Sequence, residues 1–163
     1  MINMVVAAAQ NGTIGINNDL PWHISSDLKH FKQLTTGKPV IMGTNTYNSI
    51  YNRLKGPLPN RRNIVVSRQS TSLPAGFELA HSINEALALL GGSDASLIGG
   101  AQLFKSFLDQ DLIDRIYLTE VKADVKGDVY LPPLKQSDWQ EVDRQPQRDG
   151  QWQYDFVTLE RKQ

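Results

Sequence analysis

A largely parallel α/β sheet in one domain is the fold this sequence predicts, and three observations predict it. Short apolar, β-rich runs recur at residues 4–9, 40–42, 63–67, 77–80, 96–98, 116–121 and 152–159, with helical patterns at 24–34, 44–50, 83–90 and 101–108 between several of them. Such alternation suits a parallel sheet, where a helix carries the chain back for the next strand. The runs Val40-Ile41-Met42 and Ile64-Val65-Val66 are apolar throughout, as strands covered on both faces are. The last two runs have no helix between them, which predicts an antiparallel edge. The 163 residues contain no repeat, low-complexity tract or linker, so one domain over 1–163 is expected. A chain near this size buries roughly 70% of its unfolded surface, enough for a sizeable core.

Each element has a local reason. Run 4–9 is a short apolar stretch, Met4-Val5-Val6-Ala7-Ala8-Ala9. Helix 24–34 places Ile24, Leu28, Phe31 and Leu34 on one face at spacings of four and three. Strand 40–42 ends in Gly43-Thr44-Asn45-Thr46, which opens helix 44–50. Strand 63–67 ends in Ser67-Arg68. Helix 83–90 begins with a capping box, Ser82 and then Glu85. Strand 96–98 ends in Gly99-Gly100 and opens helix 101–108.

Asp27 is a carboxylate inside the apolar arc of the first helix. Two readings of it stand side by side. With Ser25 or Ser26 as N-cap, Asp27 sits in the first turn, where the helix dipole favours acids. Alternatively it is buried for a ligand, since a buried carboxylate is costly without a partner. The turn-rich loop Gly15-Ile16-Asn17-Asn18-Asp19-Leu20-Pro21-Trp22 delivers Trp22 beside it, as a lid over a pocket would. Lys29, His30, Lys32 and Gln33 fall outside the apolar arc.

Composition excludes several classes. Seventeen basic and 17 acidic side chains cancel, which argues against a general nucleic-acid or anionic-membrane binder. There is no cysteine and there are only three histidines, His23, His30 and His81, so neither a disulfide framework nor a metal site is expected. The apolar start is too short for a membrane span and lacks a basic flank. A soluble, cytoplasmic protein is the expectation.

Three strand ends share one feature. Gly43-Thr44, Ser67-Arg68 and Gly99-Gly100 all lie where ligands bind in open α/β sheets, beyond the carboxyl ends of strands. Two glycine-opened helix N-termini offer N–H groups to an anion, and Ser67-Arg68 adds a hydroxyl and a cation. Together they describe a cradle for a diphosphate with a further phosphate nearby; singly, each pair is only a tight turn. G-x-G-x-x-G is absent, so this is not the usual Rossmann site. Arg61 and Arg62 follow a proline-stiffened turn. They read either as a solvated basic turn or as a fork for a carboxylate.

Taken together, these residues resemble dihydrofolate reductase of the bacterial chromosomal type, from Met1 to Arg161. The resemblance rests on Ile14-Gly15, on Leu20-Pro21-Trp22 with Asp27 five residues later, on Lys38-Pro39-Val40-Ile41-Met42-Gly43 and on Thr46 with Ser49-Ile50. It continues through Pro57-Leu58-Pro59-x-Arg61 and Ile98-Gly99-Gly100. It implies a mostly parallel eight-stranded sheet with an antiparallel C-terminal edge strand, flanked by four helices. It implies reduction of 7,8-dihydrofolate to tetrahydrofolate with NADPH, by a monomer that binds antifolate inhibitors, no nucleic acid and no membrane.

The resemblance also implies roles. Asp27 would hydrogen-bond the pterin and favour protonation of its imine nitrogen. Thr119 would bond Asp27, and Trp22 would hold a water near the pterin. Val5, Val6, Ala7, Leu28, Phe31, Lys32, Ile50, Leu58, Ile98 and Phe104 would line the substrate pocket, and Arg61 would grip the glutamate α-carboxylate. Ala7, Ile14, Gly15, Leu20, Ile98 and Phe104 would lie along the cofactor. Gly43, Thr44, Asn45, Thr46, Ser49, Gly99, Gly100, Ala101, Gln102 and Leu103 would hold its diphosphate and ribose. Ser67, Arg68 and His81 would take the adenosine end, and the Gly99–Gly100 bond would be cis. The sequence departs from the family pattern in a longer link between Ile50 and Pro57, in Thr44 and Gln102 where basic residues are common, in Phe104 for a frequent tyrosine, and in Ser25 for a common proline. Two other readings are a pyrimidine reductase of riboflavin synthesis, which shares fold and cofactor, and an inert nucleotide-binding module. The acid followed by Phe31 and the Pro-Leu-Pro-x-Arg segment argue against the first. Buried polar groups without a task argue against the second.

Overall fold

The computed structural model describes residues 1–15, 21–69 and 72–162. At its centre is β1 (Ile2–Ala9), buried along nearly its whole length. The other strands of the main sheet are β3 (Val40–Gly43), β4 (Asn63–Val66), β5 (Phe77–Ala80), β6 (Ala95–Gly99), β7 (Arg115–Val121), β9 (Trp139–Asp149) and β10 (Trp152–Arg161). Their order is β5-β4-β3-β6-β1-β7-β10-β9. The strands from β5 to β7 pair in parallel, and β10 pairs antiparallel with both β7 and β9. A separate two-stranded ribbon joins β2 (Thr13–Gly15) to β8 (Val129–Tyr130).

The expected antiparallel C-terminal strand is β10, second from the edge. The edge itself is β9, which the sequence reading did not include. Its sequence Trp-Gln-Glu-Val-Asp-Arg-Gln-Pro-Gln-Arg-Asp is exposed over most of its length, so it carries no hydrophobic period. Charges and Pro146 are what an edge strand uses to discourage further pairing.

Four helices flank the sheet: α1 (Ser25–Thr35), α2 (Thr44–Leu54), α3 (Ile83–Leu90) and α4 (Ala101–Asp109). Three differ from expectation in instructive ways. The N-cap of α1 is Ile24 rather than a serine, with no side-chain cap of its own. Asp149, at the end of β9, instead accepts from the Ser26 N–H at 3.2 Å and from its hydroxyl at 2.9 Å. A carboxylate from a distant strand thus meets the donors of the first turn. The longer link after Ile50 is an extra turn of α2, closed by Lys55 in the left-handed region at φ 57°. At α3, Ser82 accepts from the Glu85 N–H as a capping box requires, but the Glu85 carboxylate returns to the His81 N–H, one residue further out.

Because β1 is central, its two faces meet different surroundings. Met4, Val6 and Ala8 join the main core with Ile41, Leu97, Phe104 and Phe107. Val5 and Ala7 belong to the side where α1 and α2 leave a cavity. β6 lies between β3 and β1, so the chain reverses its direction of winding there. A crevice opens beyond the strand ends at such a point.

Candidate active site

The apolar stripe of α1 is not filled by the core. Leu28, Phe31 and Leu34 line a cavity of about 450 Å³, together with Val5, Val6 and Ala7 of β1, Ile98 of β6 and Ile50 of α2. Leu28 remains 39% exposed for that reason. Apolar side chains held open to a cavity are a binding surface, because closing them away would have gained about 25 cal/mol per Å².

Among the described residues, Asp27 is the sole acidic side chain lining this cavity. It is 9% exposed, and it occupies the first turn of α1, so the first-turn position and burial go together. The Thr119 hydroxyl donates to its Oδ1 at 2.7 Å. Burial pushes the Asp27 carboxyl above the usual aspartate value, against the opposing pulls of the Thr119 hydrogen bond and of His30. Trp22 is 3% exposed, and its indole N–H finds no protein acceptor among the described residues. It packs against Trp152 and is not one of the described residues that line the cavity.

Arg61 and Arg62 are separated by their surroundings. Arg62 turns outward to a two-pronged pair with Glu78, at 2.8 and 2.7 Å. Arg61 lines the cavity, donating from Nε to the Pro59 carbonyl and from Nη1 to the Thr35 hydroxyl. It forms no ion pair among the described residues. Burial pulls its guanidinium below the usual arginine value, but an arginine remains charged.

At the other end lie the N-termini of α2 and α4. Their caps are Gly43 and Gly100, neither helix has a side-chain cap, and neither has an acid in its first turn. Among the described residues the first N–H groups of both therefore meet no side-chain cap, in contrast to those of α3. The two turns touch: a Cβ on Gly43 would stand 3.7 Å from the Gly100 nitrogen. Gly99, at φ 135°, would bring a Cβ within 2.9 Å of the Thr46 hydroxyl, so only glycine fits. The Gly99–Gly100 bond is cis, as expected. Paired glycine turns with uncapped donors fit a diphosphate.

Of the expected site residues, Ile14, Gly15, Lys32, Asn45, Thr46, Ser49, Leu58, Ala101 and Phe104 also line the cavity. Gly43, Thr44, Gln102 and Leu103 flank it at the two helix starts. Ser67, Arg68 and His81 stand beyond the ends of β4 and β5. Arg68 is exposed, whereas His81 is held by Glu85 at 3.2 Å, and that carboxylate disfavours a second anion. Leu20 lies outside the described residues. His30, Leu34, Arg53, Leu54, Pro59, Tyr117 and Val129 line the cavity without having been expected to. Tyr117 was within reach, since it shares a strand face with Thr119 two residues on. Arg53 and Leu54 come from the extra turn of α2, which no period announced.

A cleft of this kind, with a buried carboxylate among apolar walls and two glycine-opened helix starts alongside, fits a nucleotide-dependent enzyme of the open α/β class. The family model for dihydrofolate reductase matches residues 1–161. Dihydrofolate reductase type 3 of Salmonella typhimurium is 43% identical over 99% of both chains. The Haemophilus influenzae dihydrofolate reductase is 40% identical over 98% of both. A solved dihydrofolate reductase from Enterococcus faecalis, complexed with NADP(H) and RAB-propyl, superposes with a TM-score of 0.91 at 28% identity, over 100% of this chain and 97% of that one. The chain belongs to the dihydrofolate reductase family. It is accordingly an NADPH-dependent oxidoreductase that reduces 7,8-dihydrofolate. Among the described residues no cluster could hold a metal, and no helix is long and apolar enough to cross a membrane.

Proposed function

We propose that the cavity seats the pterin of 7,8-dihydrofolate against Asp27, and that Asp27 keeps the imine nitrogen of the substrate protonated during reduction. The observation that carries this reading is the Asp27 carboxylate, the single one among the described residues of the cavity, buried and bonded by Thr119. An anion there accepts from the amino and ring N–H groups of a pterin. Its field raises the proton affinity of the nearby imine, and the adjacent carbon becomes a good acceptor only once that nitrogen is protonated. NADPH, when bound, supplies the hydride.

The residues present fit both partners. The uncapped N–H groups opened by Gly43 and Gly100 would hold the diphosphate, with Thr46 and Ser49 nearby. Ser67 and Arg68 would meet the adenosine end. Ala7, Ile14 and Gly15 would face the nicotinamide. Leu28, Phe31, Ile50, Leu58 and Ile98 would exclude water from the pterin and the ring that follows it, and Arg61 would take the α-carboxylate of the glutamate. The buried Trp22 N–H is a donor for a water beside the pterin. An antifolate presenting a cationic ring to Asp27 would compete for the same place. A cytoplasmic monomer remains part of this reading.

The test is the fall in NADPH absorbance on adding dihydrofolate, with and without an antifolate. Inhibitor-sensitive oxidation is expected. NADPH binding without oxidation would point to the inert module, and oxidation driven instead by a riboflavin-pathway pyrimidine would point to the other reductase.

A further inference from the structure

His30 carries chemistry that the reading above does not use. It follows Asp27 by three residues on α1 and lines the same cavity, so the two side chains neighbour each other on one helix face. Its ring stacks on Phe156, with centroids 3.8 Å apart and planes at 16°. Phe156 lies directly opposite Thr119 in the β7–β10 register, and Thr119 donates to Asp27. The four residues therefore close a circuit: Asp27, Thr119, Phe156, His30 and back along the helix. The stack on Phe156 holds one face of the ring.

We propose that His30 is a positioning residue of the active site, whose imidazolium, formed in acid, keeps the Asp27 carboxylate ionised and available to the pterin. The inference rests on Asp27 being the pterin's partner. Three features support it. Thr119 is the only side chain among the described residues that donates to the carboxylate, so a further positive neighbour has a task. The aromatic face of Phe156 also favours a cation over it. And attraction acts in both directions: burial pulls the imidazole down while Asp27 draws it up, and His30 in turn draws the carboxyl down.

The other groups around His30 do not replace that partner. Lys32, Arg53 and Arg61 line the cavity as cations, and Tyr117 lines it from β7. On β9, Gln145 stands opposite Phe156 and is bonded to Asp143. Among the described residues, the charge that draws the imidazole up against burial is that of Asp27.

The experiment is an NMR titration of the Asp27 carboxyl carbon and the His30 ring in the whole protein, beside His30→Gln, His30→Phe and Asp27→Asn. Removing the imidazole should move the Asp27 midpoint up, because an opposite charge nearby favours the ionised carboxylate. His30→Phe keeps a ring against Phe156 and should do the same, which separates charge from packing. In Asp27→Asn the His30 midpoint should fall by a matching amount, because coupling between two sites is reciprocal. An Asp27 midpoint unmoved in both His30 variants, with turnover lowered equally at every pH, would overturn the proposal. These titrations need no turnover, so their outcome is independent of whether the chain reduces dihydrofolate.

Discussion

Replacing Arg61 and Arg62 one at a time gives a sharp contrast, because the two neighbours are committed to different partners. An arginine has five N–H donors in a planar fork. Arg61 uses Nε on the Pro59 carbonyl and one donor of Nη1 on the Thr35 hydroxyl. The remaining donors, on Nη1 and Nη2, form the edge that grips a carboxylate in two prongs. Hydrogen bonds to charged groups contribute about 1.5–3 kcal/mol. Arg61→Ala should therefore raise the dihydrofolate KM by roughly 10- to 150-fold. Arg62 is spent on Glu78, with both side chains well exposed, 43% and 38%. Its loss should cost about 0–1 kcal/mol of stability and leave KM nearly unchanged. Steady-state kinetics on dihydrofolate, and on a dihydropterin lacking the glutamate, would decide it. The truncated substrate should ignore the Arg61 change. If Arg62→Ala proves the worse mutant, or if the dihydropterin suffers equally from Arg61→Ala, the assignment of this loop is wrong.

Two further outcomes follow from the site. Asp27→Asn should stabilise the protein at neutral pH. The folded carboxyl titrates above its unfolded value of 3.8, so the folded state binds more protons in that window, and stability falls as pH rises through it. Each unit of upward shift costs about 1.4 kcal/mol at neutral pH. Melting curves should show a gain of a few degrees at pH 7, vanishing below about pH 4; no gain at pH 7 would mean the charge is not held against burial. Arg68→Ala should weaken NADPH by roughly one to two powers of ten and leave NADH nearly unchanged, since only NADPH bears the 2′-phosphate and Thr44 and Gln102 supply no cation. The NADPH loss should shrink in high salt, and equal losses for both cofactors would assign Arg68 to the fold or the adenine.

What the sequence makes legible is whatever burial writes as a pattern. Val40-Ile41-Met42 of β3 and Ile64-Val65-Val66 of β4 are apolar throughout because both faces are covered, and α1 shows its cavity face as a stripe. Asp27 stands out because it breaks that stripe. The edge strand β9 is invisible for the converse reason: its side chains meet water on both sides, so no period distinguishes it from a loop. The cap of α1 comes from Asp149, a partner more than a hundred residues away that no local rule reaches. By helical angle His30 falls just outside the apolar arc. The sheet turns it inward, since Phe156 of β10 packs on its ring. The family resemblance selects Arg61 over Arg62, and the fold sets the two apart: Arg61 lines the cavity and Arg62 pairs with Glu78.

The measurement that bears most directly on the account is the pH dependence of turnover in Asp27→Asn, with NADPH and dihydrofolate saturating. The variant keeps the shape of the side chain and an acceptor for Thr119, but loses the anion that holds the substrate proton. Turnover at pH 7 should fall by roughly 10²- to 10⁴-fold. It should recover in part as the pH is lowered, where the imine nitrogen takes its proton from solution. Near-normal turnover at pH 7, or a loss that stays constant down the pH scale, would contradict the central role given to Asp27.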